Sequence, residues 1–245
     1  MAKLFFIPFL LFYFNMSYAQ DTITIIKNQP AQYKNNNTLI LPIALMTYGA
    51  LSLELKPLQD FNKTIHTLTT PNNLEKCHID NYMQFAPGAI VIGLNVAGIK
   101  GKHNVKDAAL IYTLSNVVLN GIVIPTKKIS HELRPDKSAY SSFPSGHTAE
   151  AFANATFLSM EYGKVSVWYS IAGYAIAGLT GYLRMYNNKH WFGDVIAGAG
   201  VGIVSTKIAY WMFDKINKKK NTNNKIGLMP TFNNRQFGFY LCTNY

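Results

Sequence analysis

The chain has 245 residues, 49% of them hydrophobic, and a mean hydropathy of +0.03. Its 23 Lys and Arg residues outnumber the 12 Asp and Glu residues, which gives a formal net charge of +11. Such a charge would ordinarily suggest a nucleic acid partner, but the basic residues gather in a few short groups and loops, and no nucleic-acid-binding motif is present. We therefore expect no nucleic acid partner, and instead a single folded domain with a sizeable core that meets an anionic substrate or an anionic lipid surface.

The first residues have the pattern of a secretory signal. Lys3 gives a charged start, residues 4–14 form an apolar run, and small residues end the segment at Ala19. This pattern predicts a signal peptide over residues 1–19 and a mature chain that begins near Gln20 or Asp21. An uncleaved anchor helix is the alternative. In both cases the chain is addressed across a membrane, which in a bacterium indicates the inner membrane or the periplasm.

The elements then follow in chain order. Residues 20–37 are polar, with a short β-favouring stretch, and an apolar helix is expected at 40–55. A polar loop is expected from Lys56 to about Asp80, because prolines and paired asparagines argue against regular structure there. Five further apolar helices are predicted, at residues 82–99, 107–125, 147–162, 165–183 and 193–213.

The tail changes character. Residues 215–225 are basic and Asn-rich, which predicts a linker, and residues 226–245 alternate apolar and polar residues, which predicts a small β-hairpin. The expected fold is therefore all-α: a bundle of about six core helices within a domain over residues 38–214, followed by a tail over 215–245 that ends in the hairpin. Cys77 and Cys242 could pair in an oxidising compartment or could both be free and buried.

Three short basic groups carry the chemistry: Lys127 with Arg134, the Pro144-Ser145-Gly146-His147 tetrapeptide, and Arg184 with His190 and Asp194. A phosphoryl group carries negative charge that spreads over its oxygens in the transition state, so fixed cationic and N–H donors must surround it. A Ser-Gly pair before a helix adds a hydroxyl and exposed backbone amides. The three groups fall at predicted helix ends, which antiparallel packing would bring together. The pattern predicts hydrolysis of a phosphate ester through a histidine, with no metal required.

Spacing assigns the roles of the two histidines. His190 and Asp194 are four residues apart where the chain enters an apolar helix, so on a helix both would lie on one side, one turn apart. The carboxylate could then hold one ring nitrogen as N–H and leave the other as a nucleophile. His147 has only Glu150 as an acidic neighbour. We therefore expect His190 to be the nucleophile and His147 the general acid.

These residues resemble the three motifs of the type 2 phosphatidic acid phosphatase and vanadium haloperoxidase superfamily. The resemblance implies an all-helical core, a phosphohistidine intermediate on His190 and proton donation by His147. It also implies a set of phosphate-binding residues: Lys127, Arg134, Ser145, Gly146 and Arg184. The third motif usually has serine before its arginine, and here that position is Leu183. A hydroxyl contact to the phosphate is therefore missing, which affects the expected substrate preference more than the expected catalysis.

Other residues near or outside the motifs are interpreted as ordinary. Lys128 and Lys189 adjoin the site and could strengthen its positive field, although such lysines are more often solvated. The histidines outside the motifs are expected to be surface or structural residues: His66, His78, His103 and His131.

The apolar stretches have two interpretations, as membrane-spanning helices or as helices of a soluble bundle. The uncharged stretches at 81–99, 108–126 and 165–183 approach the roughly 20 residues that span a hydrocarbon core, but their small residues also suit a soluble bundle. If the helix at 40–55 lies on the surface and the next helix crosses first, the site faces outward and the lysines at 100–106 and 215–220 face inward, as the positive-inside rule prefers. The expected location is the inner membrane with a periplasmic active site, or the periplasm.

The expected substrate is a lipid phosphate, with phosphatidate, phosphatidylglycerophosphate, polyprenyl diphosphate and lipid A phosphate as candidates. Three other functions stay open. One is a periplasmic acid phosphatase for small soluble monoesters, and another is a haloperoxidase that keeps vanadate in the same site. The third is a non-catalytic membrane protein that binds or moves phospholipid. No cofactor is expected for the phosphatase, and the sequence does not fix the oligomeric state.

Overall fold

The computed structural model describes residues 39–70, 75–223, 226–233 and 236–243, and side chains within 39–70 and 75–217. The predicted signal peptide and the polar segment after it lie outside the described residues. Eight helices and two strands are described: α1 Ile40–Glu54, α2 Lys56–Thr69, α3 Asp80–Met83, α4 Ala86–Val96, α5 Val105–Ser130, α6 Gly146–Tyr162, α7 Val167–Tyr186, α8 Phe192–Asn223, β1 Ile226–Asn233 and β2 Gln236–Thr243.

Helix α6 is the centre of the bundle. It packs against α4, α5, α7 and α8, while α1 and α5 also pack along α8. Most of the α6 residues are buried, among them Phe157, Leu158 and Tyr162. Its neighbours contribute Ile111 from α5 and Tyr210 from α8 to the same apolar cluster. The all-helical bundle that the sequence predicts is confirmed.

Small residues let α8 approach its neighbours closely. A Cβ at Gly198 would lie 2.6 Å from the carbonyl oxygen of Ser145, the residue that caps α6, and one at Gly202 would overlap the carbonyl oxygen of Ala149 on α6. These distances are below any that real Cβ atoms show, so the backbones of α6 and α8 meet at contact distance. The close approach places the first turns of α6 and α8 side by side, and these turns carry His147 and Asp194.

The helices alternate in direction, so that one end of the bundle collects the three motifs. Lys127 lies in the last turn of α5, Ser145 caps the start of α6, and Arg184 lies in the last turn of α7. Asp194 lies in the first turn of α8. At the opposite end, Glu161 of α6 accepts hydrogen bonds from His103 and Tyr210, which fix the α4–α5 loop.

The structure corrects three element boundaries. The predicted loop after Lys56 is helical to Thr69, because Pro57 stands in the first turn of α2, where its missing N–H costs nothing. Helix α5 continues past Pro125 to Ser130, since the preceding turns hold its backbone and the proline lies near the end. Helix α8 extends to Asn223, so most of the predicted linker is helical.

The described helices expose many large apolar side chains. Two helices are long and apolar enough to cross a membrane, α5 over its full length and residues Phe192–Asn217 of α8. The apolar window of α5 is only 28% buried, and Val117 and Ile124 on this helix are more than half exposed. Helix α4 has 11 residues and is too short to span by itself. Exposed apolar surface of this extent is typical of a face that contacts a membrane or another protein.

The C-terminal strands β1 and β2 pair antiparallel, with Ile226 opposite Thr243 and Asn233 opposite Gln236. The structure does not describe the side chain of Cys242. Cys77 forms no disulfide within the part of the chain whose side chains are described.

Candidate active site

His190 and Asp194 meet at the start of α8. His190 lies in the short segment before the helix, not on it, and its ring is 2% exposed. The distance from His190 Nδ1 to Asp194 Oδ2 is 3.4 Å, an ion-pair separation longer than a well-formed hydrogen bond. The carboxylate thus faces Nδ1 and leaves Nε2 as the ring nitrogen available to a substrate.

The carboxylate of Asp194 is itself held by two donors. Ser142 Oγ donates to Asp194 Oδ2 at 2.5 Å, and the backbone N–H of Trp191 donates to the same atom at 2.9 Å. Ser142 Oγ also lies 3.5 Å from His190 Nδ1, between the ring and the carboxylate. The fixed carboxylate therefore constrains the orientation of the His190 ring.

His147 is the second residue of α6, and its ring nitrogen Nε2 lies 2.9 Å from Asn81 Oδ1. The residue before it, Gly146, follows Ser145, whose Oγ caps the helix by accepting from the backbone N–H of Thr148. The N–H of Ser145 in turn donates to the carbonyl of Asp194 at 3.0 Å. The start of α6 is thereby joined to the start of α8.

Two cationic side chains of the site, Lys127 and Arg184, are held by hydrogen bonds within the bundle. Lys127 Nζ donates to the carbonyl oxygens of Ser141 and Ser142 at 2.7 and 3.3 Å, and its Cε lies 3.9 Å from the position of a Cβ at Gly146. Arg184 is buried and donates from Nη1 to Asp80 Oδ2 at 2.6 Å.

Two arginine side chains of the site have unused donors. The Nε atoms of Arg134 and Arg184 are buried and have no hydrogen-bond partner among the residues whose side chains are described. A buried unpaired N–H donor is costly, and an anion that accepts from it would remove the cost. The phosphate-binding function expected of these arginines fits this observation.

Burial lowers the pKa of His190 to about 4, although the hydrogen bond and charge of Asp194 oppose the shift. Burial also lowers the pKa of His147 to about 4, with a further lowering by the Arg184 charge, while Asp80 raises it. The His190 ring also lowers the pKa of His147, which places the two rings in one electrostatic environment. Both rings are neutral at pH 7, and a neutral ring is the form that a nucleophile requires.

The structure thus brings together all eight residues that the sequence predicts for the site: His190, His147, Asp194, Lys127, Arg134, Ser145, Gly146 and Arg184. The sequence analysis missed three residues that contact this set, Ser142, Asp80 and Asn81. Ser142 lies two residues before the Pro-Ser-Gly-His motif, a proximity that could have suggested it. Asp80 and Asn81 lie far away in sequence and carry no local signal.

The helix α2 contacts the segment that leads to His190. His66 Nε2 lies 2.6 Å from Asn188 Oδ1, and Asn62 Oδ1 accepts from the backbone N–H of Gly193 at 3.0 Å. His66, which the sequence analysis expects to be a surface or structural residue, contacts the α7–α8 connection. Lys189 forms an ion pair with Asp136 at 2.6 Å, which holds the α5–α6 and α7–α8 loops together.

The chain is similar in sequence to several known proteins. The sequence model of the PAP2 superfamily matches residues 108–218. The chain is 42% identical over 139 residues to a lipid A 1-phosphatase of Porphyromonas gingivalis, covering 56% of this chain and 31% of the relative. It is 36% identical over 88 residues to a probable lipid phosphate phosphatase 4 of Arabidopsis thaliana, covering 31% of this chain and 29% of the relative. The chain thus spans about three tenths of the length of these relatives.

Two solved structures are similar. A transmembrane PAP2 type phosphatidylglycerolphosphate phosphatase of Bacillus subtilis has a TM-score of 0.50 at 18% identity, over 72% of this chain and 97% of the other. The LpxE structure of Aquifex aeolicus has a TM-score of 0.48 at 25% identity, over 62% of this chain and 95% of the other. The former supports the fold. All three motifs lie within residues 108–218, the segment that the PAP2 superfamily model matches.

Proposed function

We propose that the protein hydrolyses the phosphate ester of a membrane lipid through a phosphohistidine intermediate. The observation that carries the proposal is the convergence of a neutral, carboxylate-backed His190 with His147, Lys127, Arg134 and Arg184 at one end of the bundle. Such a site has a nucleophile, a proton donor and a fixed positive cage, which together are sufficient for phosphoryl transfer.

In the first step, the lone pair of His190 Nε2 attacks phosphorus in line with the leaving oxygen. A P–N bond forms, the ester P–O bond breaks, and His147 gives a proton to the departing oxygen. His147 is neutral in the free protein, because its pKa lies near 4. The negative charge of a bound phosphate raises the pKa of this ring, so that substrate binding itself favours the protonated acid.

In the second step, water attacks the phosphohistidine. His147, now neutral, accepts the proton of the water, the P–N bond breaks, and inorganic phosphate leaves His190 in its original form. The guanidinium and ammonium groups stabilise the equatorial oxygens in both steps.

A lipid substrate is supported by the apolar surface beside the site. A groove of about 440 Å³ lies between α4 and α5, and it is lined by apolar residues such as Phe85, Ile92 and Tyr112. Phe85 is four residues beyond Asn81, the partner of His147, so the groove begins near the proposed reaction centre. An acyl chain of the substrate would lie in this groove. Because a relative is named a lipid A 1-phosphatase, lipid A phosphate is the first candidate among the lipid phosphates.

The proposed orientation places the active site on the periplasmic side. The lysines at the opposite end of the bundle, Lys100, Lys102 and Lys106, would then face the cytoplasm, as the positive-inside rule prefers. Single-cysteine variants Lys137→Cys and Lys106→Cys, each with Cys77 and Cys242 replaced by serine, test this orientation. An impermeant maleimide should label the first in cells whose outer membrane alone is permeabilised, and the second only after the inner membrane is opened. The reverse pattern contradicts the proposal.

The function is tested by phosphate release from membranes that contain the wild-type protein or the His190→Ala variant. The substrates are lipid A phosphate, phosphatidate, phosphatidylglycerophosphate, polyprenyl diphosphate and 4-nitrophenyl phosphate. We expect release from a lipid phosphate by the wild type, at least 10³-fold less by His190→Ala, and an acid-labile ³²P adduct on the wild type alone. Equal activity on the soluble ester would instead indicate a soluble monoester phosphatase, and halide oxidation after vanadate loading would indicate a haloperoxidase. A His190→Ala protein that keeps its cellular role would indicate a non-catalytic lipid-binding protein.

A further inference from the structure

We propose that Asn81 is a positioning residue for the general acid His147, and that the α3 turn is a fourth segment of the active site. The inference rests on the proposed phosphatase function and deepens it. Neither Asn81 nor its neighbour Asp80 belongs to the three motifs, and they lie 66 and 104 residues away from their partners His147 and Arg184.

The contact with Asn81 determines where His147 carries its proton. The amide oxygen Oδ1 of Asn81 lies 2.9 Å from His147 Nε2, and a carbonyl-type oxygen can only accept a hydrogen bond. The neutral ring therefore has its proton on Nε2, and Nδ1 holds the free lone pair. It follows that Nδ1 is the atom that accepts the catalytic proton and gives it to the leaving oxygen, while Asn81 retains the Nε2 proton through both steps.

The turn that carries Asn81 is fixed on two sides. Asp80 is fully buried and accepts from Arg184 at 2.6 Å, which attaches the turn to α7. The carbonyl of Gln84 accepts from Asn154 Nδ2 at 2.9 Å, which attaches it to α6, the helix that carries His147. The Asn81 side chain is exposed, but its backbone is therefore held in one place relative to His147.

The two histidines of the site have partners of different charge. His190 faces the carboxylate of Asp194, whereas His147 faces a neutral amide. The titratable and charged groups that act on the pKa of His147 come from four other segments: Arg184 of α7, Asp80 of α3, Arg134 of the α5–α6 loop and His190 of the α7–α8 loop. A neutral partner orients the ring without holding it protonated, so that the charge of the substrate controls the protonation of the acid.

The dependence of the rate on the leaving group distinguishes a positioning function of Asn81 from a purely structural one. A 4-nitrophenolate leaves without a proton, whereas an alkoxide requires one, so the loss of a correctly oriented acid affects an alkyl ester more. The purified full chain in detergent micelles is assayed with 4-nitrophenyl phosphate and hexyl phosphate. For Asn81→Ala, we expect kcat on hexyl phosphate to fall about tenfold with KM unchanged, and kcat on 4-nitrophenyl phosphate to fall less than about twofold.

Three controls complete the experiment. Tyr82→Ala removes an exposed side chain from the same turn and should leave both rates unchanged. Asn81→Asp keeps the acceptor and should restore most of the hexyl phosphate rate, with the alkaline limb of kcat moved to higher pH, because the new carboxylate favours the protonated ring. In a His147→Ala background, Asn81→Ala should have no further effect, since the two residues act as one unit.

The proposal is overturned if Asn81→Ala slows both esters equally, leaves both unchanged, or adds its full effect to His147→Ala. A wild-type protein that releases phosphate from neither ester, nor from any lipid phosphate, overturns the proposed function itself. If the wild type is active and the Asn81→Ala variant has the wild-type rates on both esters, only this inference is overturned.

Discussion

Ser142 Oγ donates a hydrogen bond to Asp194 Oδ2 across 52 residues of sequence, and the same hydroxyl lies 3.5 Å from the ring nitrogen Nδ1 of His190. The loop before the Pro-Ser-Gly-His motif therefore helps to orient the proposed nucleophile. All three side chains are buried, so water does not substitute readily for a lost donor.

The first prediction concerns this hydroxyl. Ser142→Ala removes one of the two donors to Asp194 Oδ2, and we expect kcat to fall about tenfold while KM changes little, because the carboxylate is less well fixed. Steady-state phosphate release from a lipid phosphate measures the effect. Ser141→Ala is the matched control, since Lys127 contacts only the backbone carbonyl of that residue, and it should retain the wild-type rate. Identical losses in both variants would mean that the loop, not the hydroxyl, is responsible.

A second prediction tests the phosphate cage through Arg134. The buried and unpaired Nε of this side chain suggests a contact with the bound anion, so Arg134→Gln should weaken competitive inhibition by inorganic vanadate about tenfold or more. Lys137→Gln changes the same formal charge in the same loop on an exposed residue, and should leave the inhibition constant within about twofold. If both variants weakened the inhibition by vanadate equally, the cause would be the overall positive charge of the loop and not a contact of Arg134.

The third prediction is a pH profile. Because the pKa of His190 is lowered to about 4, its imidazole should stay neutral down to that pH, and the acid limb of kcat/KM should lie near pH 4, not near 6.5. The profile is measured from pH 3.5 to 9 and corrected for the separately titrated ionisation of the substrate. An enzyme ionisation between pH 6 and 7 on the acid side would show that His190 is more solvated or more strongly paired than the structure indicates.

The same lowered pKa values have a consequence for stability. An unfolded chain binds protons on these histidines below about pH 6.5, whereas the folded protein does so only near pH 4. The stabilising contribution of the two neutral rings to the free energy of unfolding should therefore be complete above about pH 6.5. It should be lost as the pH falls from there towards 4. In the His147→Ala variant, this decrease should be smaller, as measured by thermal unfolding in detergent across that pH range.

The fourth prediction concerns the close packing of α6 and α8. Gly202→Ala would place a methyl group against the carbonyl of Ala149, and we expect a destabilisation of about 1–3 kcal/mol, measured by chemical unfolding in detergent. Gly121→Ala on α5 meets open space, so it should be neutral or stabilise by up to about 1 kcal/mol through helix propensity. Equal effects at the two positions would mean that α6 and α8 can move apart to admit the methyl group at little cost in stability.

Much of the fold could be predicted because its signals are local. The long apolar stretches that became α5, α6, α7 and α8 follow from composition and periodicity alone. Helix α2 was missed because Pro57, which reads as a break in isolation, occupies the first turn of the helix, where it is tolerated. Its contacts with the α7–α8 connection, through His66 and Asn62, show that the helix is retained by packing.

The sequence by itself determined the chemical inventory: two histidines, a carboxylate and three cationic side chains, in short motifs whose spacing survives in local structure. Only the tertiary structure decided which side chains hold these groups in place. The hydrogen bonds from Ser142 to Asp194, from Arg184 to Asp80 and from His147 to Asn81 join residues that are 52, 104 and 66 positions apart in the chain. Such contacts arise from the packing of whole helices, so no local pattern of residues can encode them.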